Sequence, residues 1–494
     1  MLDWIDNFLN KITMYRLVLY FMFVLVGAAL VLSFIPGLMP FGPLDLIIAV
    51  MIFQVVSWAS NLALAHIFKV PANVESVYIT AFILCLIITP SPHNYLFYIV
   101  AAVVGQASKY FLAYKGKHIF NPAALAVVVT SLAMGESASW WVGTAWMLPV
   151  VAVGGLLVLR KVQRVDLALS FFLVAVVSII LKSSFINDPL PMLNRILLDT
   201  PIVFFTTIML IEPLTTPPNR RQRMIYGALT GLLFGPTIHV GTIYSTPELV
   251  LAVTNIYSYL VSPKGKFTLT LKAKRLIGQD TYDLVFESKQ PLRFHPGQYL
   301  EWTLGHQNPD KRGNRRYFTV ASSPTEKEVR LGVKFYAKPS TFKAALHTLT
   351  PGSQILAGQL MGDFTLPRDP KEKLGFIAGG IGITPFRSIL KYLVDKGEKR
   401  DIVLFYSNKK PAEVAYREVL DEAQSQLGIK TVYVMTDETG YLTGDMIASA
   451  LPDYRDRKFY ISGPRSMVVA FEQTLADLAI PKRQIKTDFF PGYA

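Results

Sequence analysis

Apolar segments of bilayer length fill the first half of the chain and restrict what it can fold into. A membrane span needs about 20 mostly apolar residues, and ten segments before residue 263 approach that length. Their predicted bounds are 15–37, 43–68, 75–90, 94–112, 121–135, 139–159, 165–181, 196–213, 224–241 and 245–262. Because a bilayer offers no partner to a free backbone amide or carbonyl, we expect helices. Residues 1–262 are therefore predicted to form a polytopic α-helical membrane domain of about 10 spans.

Charge divides the chain at the same place. Residues 1–262 contain 14 basic residues (Lys and Arg) and 10 acidic residues (Asp and Glu). Residues 263–494 contain 35 basic and 25 acidic residues. If the N-terminus is cytoplasmic, twelve basic residues of the first half lie inside and only Lys182 and Arg195 lie outside. Since basic residues of short loops stay cytoplasmic, a multi-pass protein of the cell inner membrane with a cytoplasmic C-terminal half is predicted. The N-terminus has no small-residue cleavage site, so a removed signal peptide is not expected.

Polar side chains inside the apolar segments have two interpretations. Gln54, Asn61, Gln106 and Asn255 could mark a pathway through the membrane, or they could join helices by hydrogen bonds. The stretch "GKHIFNPAALA" (116–126) predicts a helix start at Asn121-Pro122. Unpaired amides at such a start suit a phosphate or an oxidised ring. The single cysteine, in "ILCLII", excludes internal disulfides and a self-contained Cys-ligated iron–sulfur cluster, and no metal site is predicted.

Four ordered blocks give the membrane half a family resemblance. They are "GKHIFNPAALAVVV", "WWVGTAWMLPVVAVGGLLVLRKVQR", "FFTTIMLIEPLTTPPNRRQRMIYGALTGLLFG" and "TPELVLAVTNIYSYLV". Most of residues 15–262 resembles the family that holds the B subunit of sodium-translocating NADH:quinone reductase and the D subunit of the Rnf complex (NqrB/RnfD-like). The resemblance implies electron transfer through the bilayer, a second flavin (FMN or riboflavin), and quinone, partner electron-transfer subunits or extracytoplasmic flavoproteins as partners.

One departure from that family concerns the attachment of the second flavin. Many members bind FMN covalently through a threonine in a Ser-Gly-Ala-Thr stretch, and the loop before "FFTTIML" has no such stretch. The resemblance therefore does not imply covalent FMN here. Thr200, Thr206 and Thr207 could line a flavin or quinone site, or they could serve helix packing alone.

The residue pattern changes after residue 262. Short alternating strands, such as "KFTLTLKAKRLI" and "TYDLVFES", predict an antiparallel β-barrel over residues 263–370. From residue 371 onward, apolar strands such as "DIVLFYS" and "KFYISGP" alternate with helical stretches. This alternation predicts an α/β parallel-sheet domain over residues 371–494. The predicted organisation is thus multi-domain, with domains 1–262, 263–370 and 371–494.

Two blocks of the predicted barrel resemble the flavin-binding strands of the ferredoxin–NADP reductase superfamily. They are "HPGQYLEW" (295–302) and "RRYFTVASSP" (315–324), which contains Tyr317. The resemblance implies FAD, with Arg316 on its pyrophosphate, Phe318 against the isoalloxazine or ribityl chain, and the Thr319 hydroxyl near N5. Phe318 replaces the family's usual Tyr. In the tail "DFFPGYA", Phe490 or Tyr493 would stack on the flavin.

Three further stretches complete the predicted cofactor sites. "KPSTFKAALHTLTPG" (338–352) predicts a diphosphate cradle, with Ser340 or Thr341 as an N-cap and Lys343 nearby. "LGFIAGGIGITPF" runs from a strand through glycines into a helix start, and with "FYISGPRSM" (459–467) it resembles the superfamily's paired nicotinamide-site motifs. The residues singled out there are Gly379, Gly380, Gly382, Thr384, Pro385, Ser462, Gly463 and Pro464. Ser462 replaces the usual Cys, and Thr319 and Ser462 are the candidate catalytic residues.

The two resemblances predict an NAD(P)H-dependent FAD oxidoreductase that feeds electrons to a centre in or across the membrane. The acceptor is expected to be a flavin, a quinone or an extracytoplasmic flavoprotein; no nucleic-acid partner is expected. Lys409 and Lys410 leave NADH and NADPH both open. A redox-coupled ion-translocating subunit is an alternative. A haem-type ferric reductase or NADPH oxidase is disfavoured, because no two membrane-half histidines share a predicted span.

Overall fold

The computed structural model describes residues 3–10, 12–69, 74–114, 117–181, 189–235, 238–241, 243–262, 265–310 and 313–488. It divides the chain into two compact units, Met1–Gly265 and Lys266–Ala494. The boundary lies beside the change of composition at residue 262. The finer division at residue 370 stays a prediction.

Helices build the first unit. They are α1 (Asp3–Asn10), α2 (Met14–Ser33), α3 (Pro43–Phe68), α4 (Val74–Ile87), α5 (Tyr95–Phe111), α6 (Pro122–Met134), α7 (Leu148–Val162), α8 (Val165–Leu181), α9 (Pro189–Leu198), α10 (Ile202–Phe204), α11 (Arg220–Leu233) and α12 (Pro247–Val261). A π-helical turn, Phe205–Met209, follows α10 directly. Two short hairpins pair β1 (Ala113–Tyr114) with β2 (Lys117–His118) and β3 (His239–Val240) with β4 (Ile243–Tyr244).

Local residue chemistry explains where these helices begin and end. Helix α6 starts with Pro122, which has no amide to leave unpaired, and its N-cap Asn121 accepts from two first-turn amides. It stops at Gly135, whose φ of 74° is left-handed. Helix α12 follows the same rule, with Thr246 as its cap and Pro247 as its first residue.

The expected number of spans is not confirmed. Within the described residues, α2 and α3 are the two helices long and apolar enough to cross a membrane, a weak indication of membrane association; α4, α6 and α8 are shorter apolar helices. The segment predicted at 196–213 is interrupted where α9 ends and Pro201 precedes α10. The segment predicted at 139–159 becomes α-helical only from Leu148, after a 3-10 turn at Trp141–Gly143, and the one at 224–241 is replaced by Arg220–Leu233.

Large apolar side chains line the outside of the first unit. Helix α8 exposes one such side chain every four residues and packs its other face inward. The exposed residues are Val165, Leu169, Leu173, Val177 and Leu181. Its inner face meets α11 through Gly227 and Gly231, where an added Cβ would lie 2.8 and 2.6 Å from backbone carbonyl oxygens of α8. This is the close small-residue packing that membrane helices use.

Two sheets and their helices form the second unit. The first sheet has the order β8-β7-β10-β5-β6-β9 and the second, which is parallel, has the order β13-β12-β11-β14-β15. The strands are β5 (Phe267–Gly278), β6 (Thr281–Ser288), β7 (Tyr299–Thr303), β8 (Arg315–Thr319), β9 (Val329–Lys334), β10 (Gln354–Met361), β11 (Leu374–Gly379), β12 (Ile402–Asn408), β13 (Lys430–Met435), β14 (Lys458–Ser462) and β15 (Ile485–Asp488). The helices are α13 (Thr341–His347), α14 (Thr384–Lys396), α15 (Arg417–Leu427), α16 (Thr436–Thr439), α17 (Gly444–Ala450) and α18 (Arg465–Asp477).

A buried ionic network joins the two sheets of this unit. Arg387 on α14 forms a bidentate salt bridge with Glu326, which lies in the loop before β9. It also donates a hydrogen bond to the carbonyl of Ala321. The hydroxyl of Tyr416 donates to Asp283 on β6 at 3.0 Å. The parallel-sheet layer is therefore attached to the other sheet by charges held out of water.

We expect Glu326→Gln to destabilise the second unit by about 3 kcal/mol, because it leaves the buried guanidinium of Arg387 without its counter-charge. The matched control is Glu287→Gln, which breaks a surface pair with Lys272 whose side chains are 52% and 62% exposed. The control should cost less than about 1 kcal/mol. Thermal unfolding of both full-length variants tests this, and equal losses would contradict it.

Candidate functional site

The site centres on the carboxyl ends of β11 and β14, two adjacent parallel strands. From β11 the chain continues to β12 on one side, whereas β14 pairs on the other side. Strand order thus reverses between these two strands. Open parallel sheets bind ligands in the crevice that such a reversal creates.

The two motifs found in sequence meet in this crevice. A Cβ on Gly382 would lie 2.3 Å from the carbonyl oxygen of Ser462, and one on Gly379 would lie 2.1 Å from the sulfur of Met467. Side chains at these positions would force the turns apart. Gly380 has a φ of +51° and open space around it, so it turns the chain without filling the crevice. The glycines therefore bring "AGGIG" and "SGP" into contact.

Helix α14 begins directly after the glycine turn. Thr384 and Pro385 are its first residues, and no side chain caps it. The Thr384 hydroxyl donates instead to the carbonyl of Ile381 at 3.2 Å. First-turn amides therefore lack side-chain partners, which is the arrangement that phosphate groups bind. Gly463 and Pro464 lie in the facing turn, immediately before α18.

The predicted flavin residues gather between β8 and α13. The guanidinium of Arg316 lies 5.2 Å from the ring centre of Phe342, on α13, and donates to Asp310 at 2.9 and 3.1 Å. Phe318 packs against the same Phe342 ring, with centroids 6.0 Å apart. Tyr317 follows the alternation of the strand and its hydroxyl donates to Glu301.

The start of α13 is held by its own side chains and by a neighbouring loop. Ser340 is the N-cap and accepts from the amide of Lys343. The Thr341 hydroxyl accepts from the Asp310 amide and lies 3.1 Å from Nε2 of His306. The Lys343 ammonium donates to the carbonyl of Lys334. Sequence reasoning missed Asp310 and His306, because the loop that carries them has no motif.

A buried acid connects the two candidate catalytic residues. The Thr319 hydroxyl donates to Asp488 at 3.4 Å, and Asp488 is the register partner of Ser462 in the sheet. Burial raises the pKa of Asp488 to about 7, against the opposing effect of the Thr319 hydrogen bond. At neutral pH this carboxyl is poised between its two protonation states. It too escaped sequence reasoning, although its place in "TDFF" ends the last strand. Phe490 and Tyr493, predicted to stack on the flavin, lie outside the described residues.

The predicted ligand sites of the first unit are occupied by protein groups. The amides of Ala123 and Ala124 donate to the side chain of Asn121, so the start of α6 does not present them to a ligand. The Asn121 side chain also donates to Glu212, which is 3.1 Å from His118. Thr200, Thr206 and Thr207 each donate to a helix carbonyl four residues back.

Comparisons with known proteins address the second unit. Residues 376–473 match the family model of the oxidoreductase NAD-binding domain. The chain is 28% identical over 208 residues to a flavohemoprotein of Pseudomonas putida, covering 40% of this chain and 52% of that protein. It is 25% identical over 214 residues to the glycine betaine monooxygenase reductase subunit of Chromohalobacter salexigens, covering 40% and 57%. The solved Amycolatopsis cytochrome P450 reductase shares 22% identity at a TM-score of 0.41, covering 46% of this chain and 69% of that one.

The chain spans about half the length of the curated relatives it matches. The predictions of an NAD(P)H-dependent FAD oxidoreductase and of FAD and NAD(P)H as its cofactors are confirmed for the reductase part, which is similar to the oxidoreductase NAD-binding domain, to a flavohemoprotein and to a monooxygenase reductase subunit. The NqrB/RnfD-like resemblance of residues 15–262 is not shown by these matches and stays a prediction.

We expect Gly382→Ala to slow flavin reduction by NAD(P)H about 100-fold, because a displacement near 1 Å is enough to misplace reacting groups. FAD content should be unchanged. Gly444→Ala is the matched control, since its added Cβ would meet nothing closer than 3.4 Å. Stopped-flow bleaching of the flavin measures both, and an unimpaired Gly382→Ala variant would refute the close-approach argument.

Asp488 should make stability depend on pH. In the unfolded chain the carboxyl ionises at about pH 4, whereas in the folded protein it stays neutral up to about pH 7. The free energy of unfolding is therefore highest below about pH 4 and falls as the pH rises to about 7. Asp488→Asn removes the dependence and should gain on the order of 4 kcal/mol over the wild type between pH 4 and 8. Denaturant unfolding at several pH values checks this, with exposed Asp477→Asn as control. A difference that does not vary with pH would contradict it.

Proposed function

We propose that the chain is a membrane-bound flavoprotein reductase. It takes a hydride from cytoplasmic NAD(P)H onto FAD in the second unit and passes the electrons to a redox centre in or across the membrane. The observation that carries the proposal is the meeting of Thr319, Asp488 and Ser462, which joins the predicted flavin strand to the nicotinamide turn.

The residues around Arg316 fit a flavin dinucleotide. Arg316 is buried, rests on an aromatic ring, and forms an ion pair with the carboxylate of Asp310. A diphosphate would take the place of that carboxylate, and the hydroxyls of Ser340 and Thr341 lie at the start of the same helix. Phe318 would then support the flavin, and Tyr317 and Lys343 would border the site.

The glycine turns fit the nicotinamide nucleotide. Gly379, Gly380 and Gly382 leave no side chain in the crevice, and the uncapped start of α14 at Thr384-Pro385 offers amides to a pyrophosphate. Ser462 and Gly463 would border the nicotinamide ring. The exposed Lys409 and Lys410 follow β12 and leave the preference for NADH or NADPH to measurement.

When bound, FAD accepts a hydride and releases electrons singly, which suits a one-electron acceptor. The protein's own contribution is positioning and proton control. The Thr319 hydroxyl, which donates to Asp488, would border the reacting ring, and Asp488 would hold a proton there near neutral pH. Burial of this pair excludes water from the site of transfer.

The exterior of the first unit supports a membrane location. Among the described residues, 44 exposed large hydrophobic side chains lie before residue 263 and 5 lie after it. Exposure of such an apolar surface to water is unfavourable, whereas its contact with lipid chains is not. The glycine contacts between α8 and α11 and the basic-residue bias point the same way. We propose an NqrB/RnfD-like multi-pass domain of the inner membrane, whose acceptor is a second flavin, a quinone or an extracytoplasmic flavoprotein.

We expect the purified chain to contain FAD and to bleach with NADH or NADPH. Arg316→Leu should weaken FAD binding about 10- to 100-fold, because a charge-assisted contact to phosphate is lost. Arg315→Leu, on the same strand but paired with Glu301 at 3.6 Å, is the matched control and should keep the flavin. Absorbance and mass analysis measure flavin content.

Two outcomes would refute the proposed function. One is a folded, purified protein with no flavin and no affinity for added FAD. The other is a flavin that neither nucleotide reduces. A Soret band would instead support the haem-type alternative, and sodium uptake by sealed vesicles during turnover would support ion translocation.

A further inference from the structure

A buried carboxyl of the first unit has no role in the function proposed above. Glu248 lies in the first turn of α12 and is 2% exposed. The indole N–H of Trp140 donates to its Oε2 at 3.0 Å, and the Glu248 backbone amide and the Thr246 side chain are further hydrogen-bond partners of this carboxyl. Nowhere in the described part of the chain does a Lys, Arg or His pair with it.

Two other acids of this unit differ from Glu248, because each has a basic side chain as its partner. Asp166 accepts two hydrogen bonds from Arg223, the shorter at 2.7 Å. Glu212 lies 3.1 Å from His118 and is a quarter exposed. An isolated carboxylate removed from water is far more costly than a neutral carboxyl. Glu248 is therefore favoured in its protonated form.

The partner of Glu248 is held in an unusual way. Trp140 has φ 53° and ψ 39°, a left-handed conformation that is rare for a bulky side chain. Its ring lies 6.0 Å from that of Phe205, the first residue of the π-helical turn. Strained residues and π-helical turns both concentrate at functional sites. Two such features thus lie beside one acid that has no cationic partner among the described residues.

The elements packed around Glu248 supply little other charge. Helix α6 has no titratable residue. Helix α11 carries Tyr226, whose hydroxyl accepts from Asn255 two turns further along α12. The arginines of α11 lie in its first turn. Arg221 there interacts electrostatically with Tyr257, which lies near the end of α12 that is far from Glu248. The titratable residues of the adjoining loops, Glu136, His239 and Tyr244, are exposed.

We propose that Glu248 is a proton-binding site that gives up its proton and regains it during turnover. The O–H bond breaks, its electron pair stays on the carboxylate, and the proton goes to a quinone or flavin acceptor that takes up protons on reduction. Water then reprotonates the carboxylate. A proton suits this site better than sodium, because the group on Oε2 is the Trp140 N–H, a donor that cannot ligate a cation. The turnover step rests on the proposed function, whereas the protonated state does not.

A hydrophobic carbodiimide tests the protonated state, since it reacts with neutral carboxyls in apolar surroundings. The full-length protein in lipid vesicles is labelled between pH 6 and 9, digested and analysed by mass spectrometry. We expect an adduct at Glu248 that declines as the pH rises, at least tenfold above adducts at Asp166 and Glu212 in the same sample. Absence of the adduct, or labelling that does not vary with pH, would overturn the proposal. If NaCl reduced carbodiimide labelling of Glu248 and choline chloride did not, the proposal would be overturned in favour of a sodium site.

Turnover is tested with Glu248→Gln, which keeps the shape and removes the proton. Reduction of a lipid-soluble quinone by NAD(P)H should fall about tenfold or more, whereas reduction of ferricyanide through the second unit should stay within about twofold. Glu248→Asp should recover part of the quinone activity. Full quinone activity in Glu248→Gln would overturn the turnover step. If the wild type reduces neither acceptor, the proposed function fails, and the labelling result still decides whether Glu248 binds a proton.

Discussion

The buried pair between Arg387 and Glu326 joins the two sheets of the second unit. Hydride transfer requires two rings held in register, and in the proposed function different sheets would bind them. Arg387 belongs to the helix that follows the glycine turn, and Glu326 belongs to the loop that follows the flavin strand. Because an unpaired charge in that position would be costly, the two layers are locked to one another.

Close backbone contacts determine the shape of the crevice at the ends of β11 and β14. Gly382 touches the carbonyl of Ser462, and Ser462 is the sheet neighbour of Asp488. The glycine turn, the serine turn and the last strand therefore form one continuous surface. The hydroxyl of Thr319 reaches that surface from the other sheet, so a proton-holding group lies where the predicted flavin and nicotinamide sites meet.

The first unit reverses the usual distribution of polarity. Its outside is apolar, as in the stripe of α8, and its inside contains hydrogen-bonded polar side chains such as Asn121, Asn255 and Tyr226. The sequence left two interpretations open for the intramembrane Asn255. The structure favours helix joining, since Asn255 links α12 to α11 and to the start of α6. Glu248 is the contrasting case, a buried acid whose partner is a neutral indole.

Residue patterns were enough to predict the positions of most helices and the two sheets with their glycine turns. Those features follow from periodicity and from residues such as Gly380 and Pro122, whose backbone preferences act locally. The break between α9 and α10, the capping of α6 by Asn121, and the partners of Glu248 could not be read in this way. Nor could the place of Asp488, because burial raises its pKa and its neighbours Thr319 and Ser462 are distant in sequence. Local chemistry decides which elements form; only the packing of remote segments decides which polar groups lose water and which of them acquire a partner.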